Sequence, residues 1–170
     1  MAMQFNVSQL LKEPIGSTRS HPIDQMVSIP DLGTQAVRGG VKMLRTDRGL
    51  LVQAKLNLTV ETTCSRCLGP FSLPIQLSIE EVFSPSVDIH SGAPLPPPEE
   101  PGTFTIDDNH ILDLSEAARQ YALLALPLKP LCRSDCAGLC AQCGHNLNLG
   151  PCGCSPQPRD PRWAPLQRLT

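Results

Sequence analysis

Residues 50–79 read LLVQAKLNLTVETTCSRCLGPFSLPIQLSI, and their rhythm decides the fold. Ala54, Leu56, Leu58 and Val60 alternate with Lys55, Asn57, Thr59 and Glu61. After a break the pattern resumes, with Phe71, Leu73, Ile75, Leu77 and Ile79 against Ser72, Pro74, Gln76 and Ser78. Period-two alternation marks strands with one face buried and one wet, the habit of antiparallel sheets. Cys64-Ser65-Arg66-Cys67, followed by Leu68-Gly69-Pro70, then becomes the tip of a long hairpin. Proline cannot donate to a ladder, so Pro74 predicts an edge or a bulge in its strand.

Working outward, Val41–Thr46 leads through Asp47-Arg48-Gly49, a turn sequence, into the first of these strands. Residues 1–36 read as irregular, with one short helix started by Ser8 and stopped by Pro14. On the other side, residues 84–102 (SPSVDIHSGAPLPPPEEPG) are proline-rich and acidic, which predicts an extended or mobile loop. Asp113-Leu114-Ser115-Glu116 has the acid-x-x-Glu form of a capping box and opens a helix that must end near Pro127. Leu114, Ala117, Ala118, Tyr121, Leu124 and Ala125 give that helix an apolar stripe for the sheet. The expected fold is α+β: an antiparallel β-sheet with a packed helix and a C-terminal cysteine-rich zinc-binding tail. The expected organisation is a β-rich domain over 1–130, a zinc-binding tail over 131–154 and a flexible tail over 155–170.

The cysteines carry the chemistry. Six of eight fall within residues 131–154, and the other two are in the hairpin tip. They form four close pairs: Cys64/Cys67, Cys132/Cys136, Cys140/Cys143 and Cys152/Cys154. Each pair suits two corners of a tetrahedral thiolate site, so eight ligands make two complete four-cysteine zinc sites. Gly144 and Gly153 relieve crowding and let backbone amides turn toward sulfur. Two partitions remain. One joins 140/143 to 152/154 and 64/67 to 132/136, and loop closure favours it because it needs the shorter loop for the tail. The other takes 132, 136, 140 and 143 for one metal and leaves 64/67 with 152/154. The start has no basic segment followed by a 7–15-residue apolar run of a signal peptide, so the thiols are read as cytoplasmic metal ligands rather than disulfides. The spacing matches neither common ferredoxin pattern, and a redox CxxC would be expected at a helix start rather than after a strand.

Charge is segregated along the chain. Between Leu68 and Ala118 there are nine acids and no lysine or arginine, while the remainder holds all 14 basic residues against seven acids. A basic body facing nucleic acid is the reading this suggests. Arg38, Lys42, Arg45 and Arg48, around the first turn, and Arg66 beside the metal are the candidate RNA contacts. Only six aromatics and a pI near 6.0 argue against a single-strand binder that works by stacking. G-x-S-x-G, H-E-x-x-H, Walker and dinucleotide motifs are absent, and an all-thiolate zinc site is closed, so the chain reads as no enzyme. No stretch approaches the length of a membrane span.

These stretches in this order, GLLVQAKLNLTVETTCSRCLGPF, EEVF, ILDLSEAARQYALLALPLKPLC and CAGLCAQCGHNLNLGPCGC, resemble the YceD family from about Val37 to Cys154. The resemblance implies a cytosolic, non-enzymatic role in synthesis, processing or stability of large-subunit ribosomal RNA. The family motif falls on Cys64, Arg66 and Cys67, and the tail cysteines match the cysteine-rich branch of the family. The partner is then that RNA or a pre-ribosomal particle. The alternative is an adaptor whose acidic segment takes a basic ribosomal protein.

Overall fold

A computed structural model describes residues 3–29, 31–98 and 102–154. The expected flexible tail, together with Glu99 and Glu100 of the acidic segment, lies outside them. In chain order the elements are β1 (Gln4–Asn6), α1 (Ser8–Lys12), β2 (Thr18–Ile29), β3 (Gly33–Arg45), β4 (Leu50–Thr63), β5 (Pro70–Pro85), β6 (Phe104–Ile106), β7 (Ile111–Asp113) and α2 (Ser115–Ala125). A 3-10 turn at Leu147–Leu149 follows in the tail.

The alternating stretch forms β4 and β5, paired antiparallel without interruption from Leu50↔Phe83 to Thr63↔Pro70. Ala54, Leu56, Leu58, Val60, Ile75, Leu77 and Ile79 are buried, and their polar neighbours in sequence are exposed. Five strands run in the order β2-β3-β4-β5-β6, and β1 pairs with β7 in a separate ribbon. The first four are antiparallel. The expected all-antiparallel sheet needs a correction at its end: β6 joins β5 in parallel, through Phe83↔Phe104 to Pro85↔Ile106. That pairing is open to β6 because the whole 86–103 segment intervenes, long enough to bring the chain back in the same direction.

Residues 1–36 are not irregular. β2 lies there and pairs with β3 over its full length. Its alternation is blurred because Arg19, His21 and Gln25 share the parity of the buried Ile23, Val27 and Ile29. Pro22 sits in the middle of β2 and Pro74 in β5 at a position where β6 does not reach, so each open edge of the sheet carries a proline. Gly39 shows how closely β3 and β4 approach: a Cβ there would lie 2.0 Å from the Lys55 carbonyl oxygen.

α2 packs on β5 and also reaches β2, and Arg119 bonds Asp31 at 3.1 Å across that approach. Contact with strands three places apart requires the sheet to coil around the helix. Leu114, Ala117, Ala118 and Ala122 enter the core, where α1 contributes Leu10 and Leu11. The expected stripe fails in the last turn. Leu124 is 82% exposed and Ala125 also faces solvent, because Pro127 ends the helix as it leaves the sheet. The capping box does not form: the helix N-cap is Leu114, which makes no side-chain bond. Asp113 Oδ1 accepts from Ser115 N–H at 2.8 Å, but Glu116 turns forward to Arg119 and Gln120. Those partners hold the Glu116 carboxyl down at about 2, the Arg119 hydrogen bond leading.

Residues 86–95 of the proline-rich segment fold on themselves rather than run extended. Asp88 Oδ1 accepts from the backbone N–H groups of His90 and Ser91 and from Ser91 Oγ. Val87 bridges Pro94, and Ile89 packs on the core. Local Asx-turn bonds substitute for the missing ladder.

Candidate metal centre

The β4–β5 turn brings Cys64 and Cys67 to the tip of the sheet, and Ser65 N–H donates to Pro130 O at 2.8 Å, docking the tail there. Cys132 and Cys136 close over the tip. Cys64 Sγ lies 3.8 Å from Cys136 Sγ, and Cys67 Sγ lies 3.8 Å from Cys132 Sγ. All four sulfurs fall within 4.8 Å of one another, as do those of Cys140, Cys143, Cys152 and Cys154. The thiols thus group as loop closure favours, and the alternative partition does not form.

Both C-x-x-C segments adopt one backbone turn. Cys64 N–H donates to Gly69 O and Leu68 N–H to Cys64 O; Cys140 N–H donates to His145 O and Gly144 N–H to Cys140 O. In each, the amide two residues on points at the first sulfur: Arg66 N–H to Cys64 at 3.5 Å and Gln142 N–H to Cys140 at 3.4 Å. The position after the second cysteine has positive φ, 72° at Gly144 and 56° at Leu68. Glycine takes this conformation freely, whereas a leucine is strained in it.

A zinc–sulfur distance of about 2.3 Å gives a tetrahedron with edges of about 3.8 Å. The first group already has that edge twice, while a disulfide would need about 2.05 Å. The donor sets fit a tetrahedral thiophilic ion. Backbone N–H groups also favour thiolate. Cys64 is lowered to about 6, chiefly by backbone hydrogen bonds from Cys132 and Cys67, and Cys140 to about 6 by those from Cys143 and Gln142. The Asn148 side-chain amide lowers Cys136. In return, desolvation at its sulfur raises Cys132 to about 12, although the residue as a whole is exposed, and the hydrogen bond with Cys143 raises Cys154 to about 12.

The candidate RNA contacts separate. Arg38 and Lys42 lie on the outer sheet face, where Arg38 makes a wholly solvated 3.2 Å pair with Asp24. Lys55 of β4 joins them and was missed, although its place on the polar side of the alternation pointed to it. It stands opposite Gly40, one diagonal step from both Arg38 and Lys42. Arg48 is exposed at the tip of the β3–β4 turn. Arg45 is not a free cation: its Nη1 donates to Thr46 O at 2.8 Å and Gly49 O at 3.0 Å, bracing the turn from within. Arg66 is exposed, yet its Nη1 donates to Cys136 O at 3.0 Å and ties the hairpin tip to the tail.

The fold and its thiol groups define a mainly β protein whose sheet and tail meet at a cysteine cluster able to hold metal. The chain belongs to the YceD family, described as large ribosomal RNA subunit accumulation protein YceD, whose profile matches residues 52–170. An uncharacterized protein of Mycobacterium tuberculosis is 31% identical over 161 residues, covering 85% of this chain and 74% of that protein. An uncharacterized protein of Mycobacterium leprae is 30% identical over 117 residues, 69% of this chain and 51% of its own. The chloroplastic large ribosomal RNA subunit accumulation protein YCED homolog 1 of Arabidopsis thaliana is 34% identical over 58 residues, 34% of this chain and 18% of that one. No solved structure matches the chain. Among the described residues no helix is long and apolar enough to cross a membrane.

Proposed function

We propose that the protein is a non-enzymatic, zinc-stapled factor of the cytoplasm that supports synthesis, processing or stability of large-subunit ribosomal RNA, acting on that RNA or on a pre-ribosomal particle. Family membership carries this reading. One zinc in each four-cysteine group would supply a cross-link: the first between hairpin tip and tail, the second within the tail. Direct RNA contact is supported by the outer face. Among the described residues Lys42, Lys55 and Arg48 make no ion pair within 4 Å. Lys42 and Lys55 flank an open depression of about 730 Å³ floored by Gly39 and Gly40, where backbone lies bare for a phosphate chain.

The adaptor reading has less support, because four of the described acids of that segment are engaged within the chain. Glu81 accepts from Tyr121, Asp107 from Ile111 N–H, Asp113 from Gln4 and Ser115, and Glu116 from Arg119. The test is salt-dependent binding of the purified protein to large-subunit ribosomal RNA. Changing Lys42 and Lys55 together to glutamine should lower the slope of log K against log salt by about 1.4–1.8, the loss expected for two phosphate contacts. Elemental analysis should find two zinc ions per chain. Unchanged binding by that variant, with association in cells lost when Asp107 and Asp108 are neutralised, would favour the adaptor.

A further inference from the structure

Three residues separate Cys136, the last thiol of the first group, from Cys140, the first of the second. They run beside the loop that the second group closes: Leu139 bridges Asn146, and Leu147 N–H donates to Gly138 O at 2.9 Å. That loop, between Cys143 and Cys152, carries Asn148. Its side chain serves the other group.

Asn148 Oδ1 accepts from Arg133 Nη2 at 2.7 Å and from Ala137 N–H at 2.8 Å. Neither partner can accept a hydrogen bond, so the amide has only one workable orientation. Nδ2 then donates to Asn146 Oδ1 at 2.7 Å and to Cys136 Sγ at 3.3 Å. Every hydrogen-bonding position of the amide is used, and one is spent on a candidate ligand of the inner centre. The two centres also differ in access. The first group has three buried cysteines, Cys64, Cys67 and Cys136, and one exposed, Cys132, whereas the second has none buried: Cys143 is exposed and its other three are partly exposed.

We propose that Asn148 is a positioning residue that couples the two thiolate centres: the outer one releases its metal first, and the freed loop withdraws the Asn148 amide from Cys136, so the inner metal follows faster. This rests on the two-metal reading above. An N–H held on a coordinated sulfur fixes the ligand and disperses its charge, and such outer partners change metal affinity about tenfold to a hundredfold.

The test is a chelator chase on the full-length, zinc-loaded protein with a chromogenic chelator. Wild type should release one equivalent quickly and one slowly. Asn148→Ala should still bind two zinc ions but lose the slow one about tenfold to a hundredfold faster. Asn148→Asp keeps both acceptor bonds, to Arg133 and Ala137, but can donate neither to Asn146 nor to Cys136. It should behave like the alanine variant, and with cobalt in place of zinc its sulfur-to-metal charge-transfer band should shift from that of wild type. Cys152→Ser should hold one metal and release it at the accelerated rate. Two bound metals with an unchanged slow phase in both Asn148 variants would overturn the coupling alone. A protein that takes up no metal would overturn the coupling and the metal reading together.

Discussion

Replacing Cys132 with serine should loosen the whole sheet, although the residue itself buries little. Cys132 is exposed, so the change opens no cavity, and its effect falls on the clip. Cys67 and Cys132 are 65 residues apart, and a cross-link over such a loop restricts the unfolded chain by about 4 kcal/mol in the chain-entropy account. Closing the ten-residue loop from 143 to 152 is worth about 2.7 kcal/mol on the same account, and that loop contains no strand of the sheet. For a chain of this length, about 4 kcal/mol corresponds to a fall in Tm of about 8–16 °C. Thermal melts followed by the β-sheet circular dichroism signal, in excess zinc, measure it. Cys132→Ser should approach the Tm of chelator-treated wild type, and chelator should then lower it little further. Cys143→Ser in excess zinc should leave the sheet transition within a few degrees. If Cys132→Ser melts with wild type, or if Cys143→Ser matches its loss, the assignment of the clip to the first group is wrong.

Gly39→Ala should destabilise by about 3 kcal/mol or more, read by urea denaturation, since its Cβ would meet the Lys55 carbonyl oxygen at 2.0 Å and backbone must move. Leu68→Gly should raise stability by about 0.5–1 kcal/mol, because relief of the left-handed conformation exceeds the added freedom of the unfolded chain. Glu116 is depressed from its ordinary 4.5 to about 2, so its contribution is complete above pH 4.5 and disappears as pH falls through 2. Half exposed, it contributes little. A Tm-against-pH profile should therefore be slightly flatter between pH 5 and 2 in Glu116→Gln.

The parts that could be read from sequence were those where one physical demand dominates. Residues of β4 and β5 are buried on a single face, so the alternation is clean, and Pro74 falls on an open edge as its missing N–H requires. Of the two thiol groupings the sequence left open, chain closure favoured the one that forms. β2 was hidden because an edge strand tolerates Pro22 and admits Arg19, His21 and Gln25 on its inward parity. The start of β3 was hidden by Gly33, Gly39 and Gly40, which carry no side-chain pattern. The bracing role of Arg45, named from sequence as a candidate RNA contact, was hidden because its partners are backbone carbonyls that only the turn assembles. Asn148 left no mark at all. An asparagine between two cysteine pairs reads as loop, and its role depends on Arg133 and Ala137 fixing which way its amide faces.

The hairpin tip has a consequence for how the chain is made. Cys67 leaves the ribosome 65 residues before Cys132, an interval of about 3–13 s at ordinary rates of synthesis. During that time the strands can pair, but the two tip thiols stand without the tail that covers them. For those seconds the nascent chain presents a bare dithiol beside Arg66, and it is sealed only when Cys132 and Cys136 arrive.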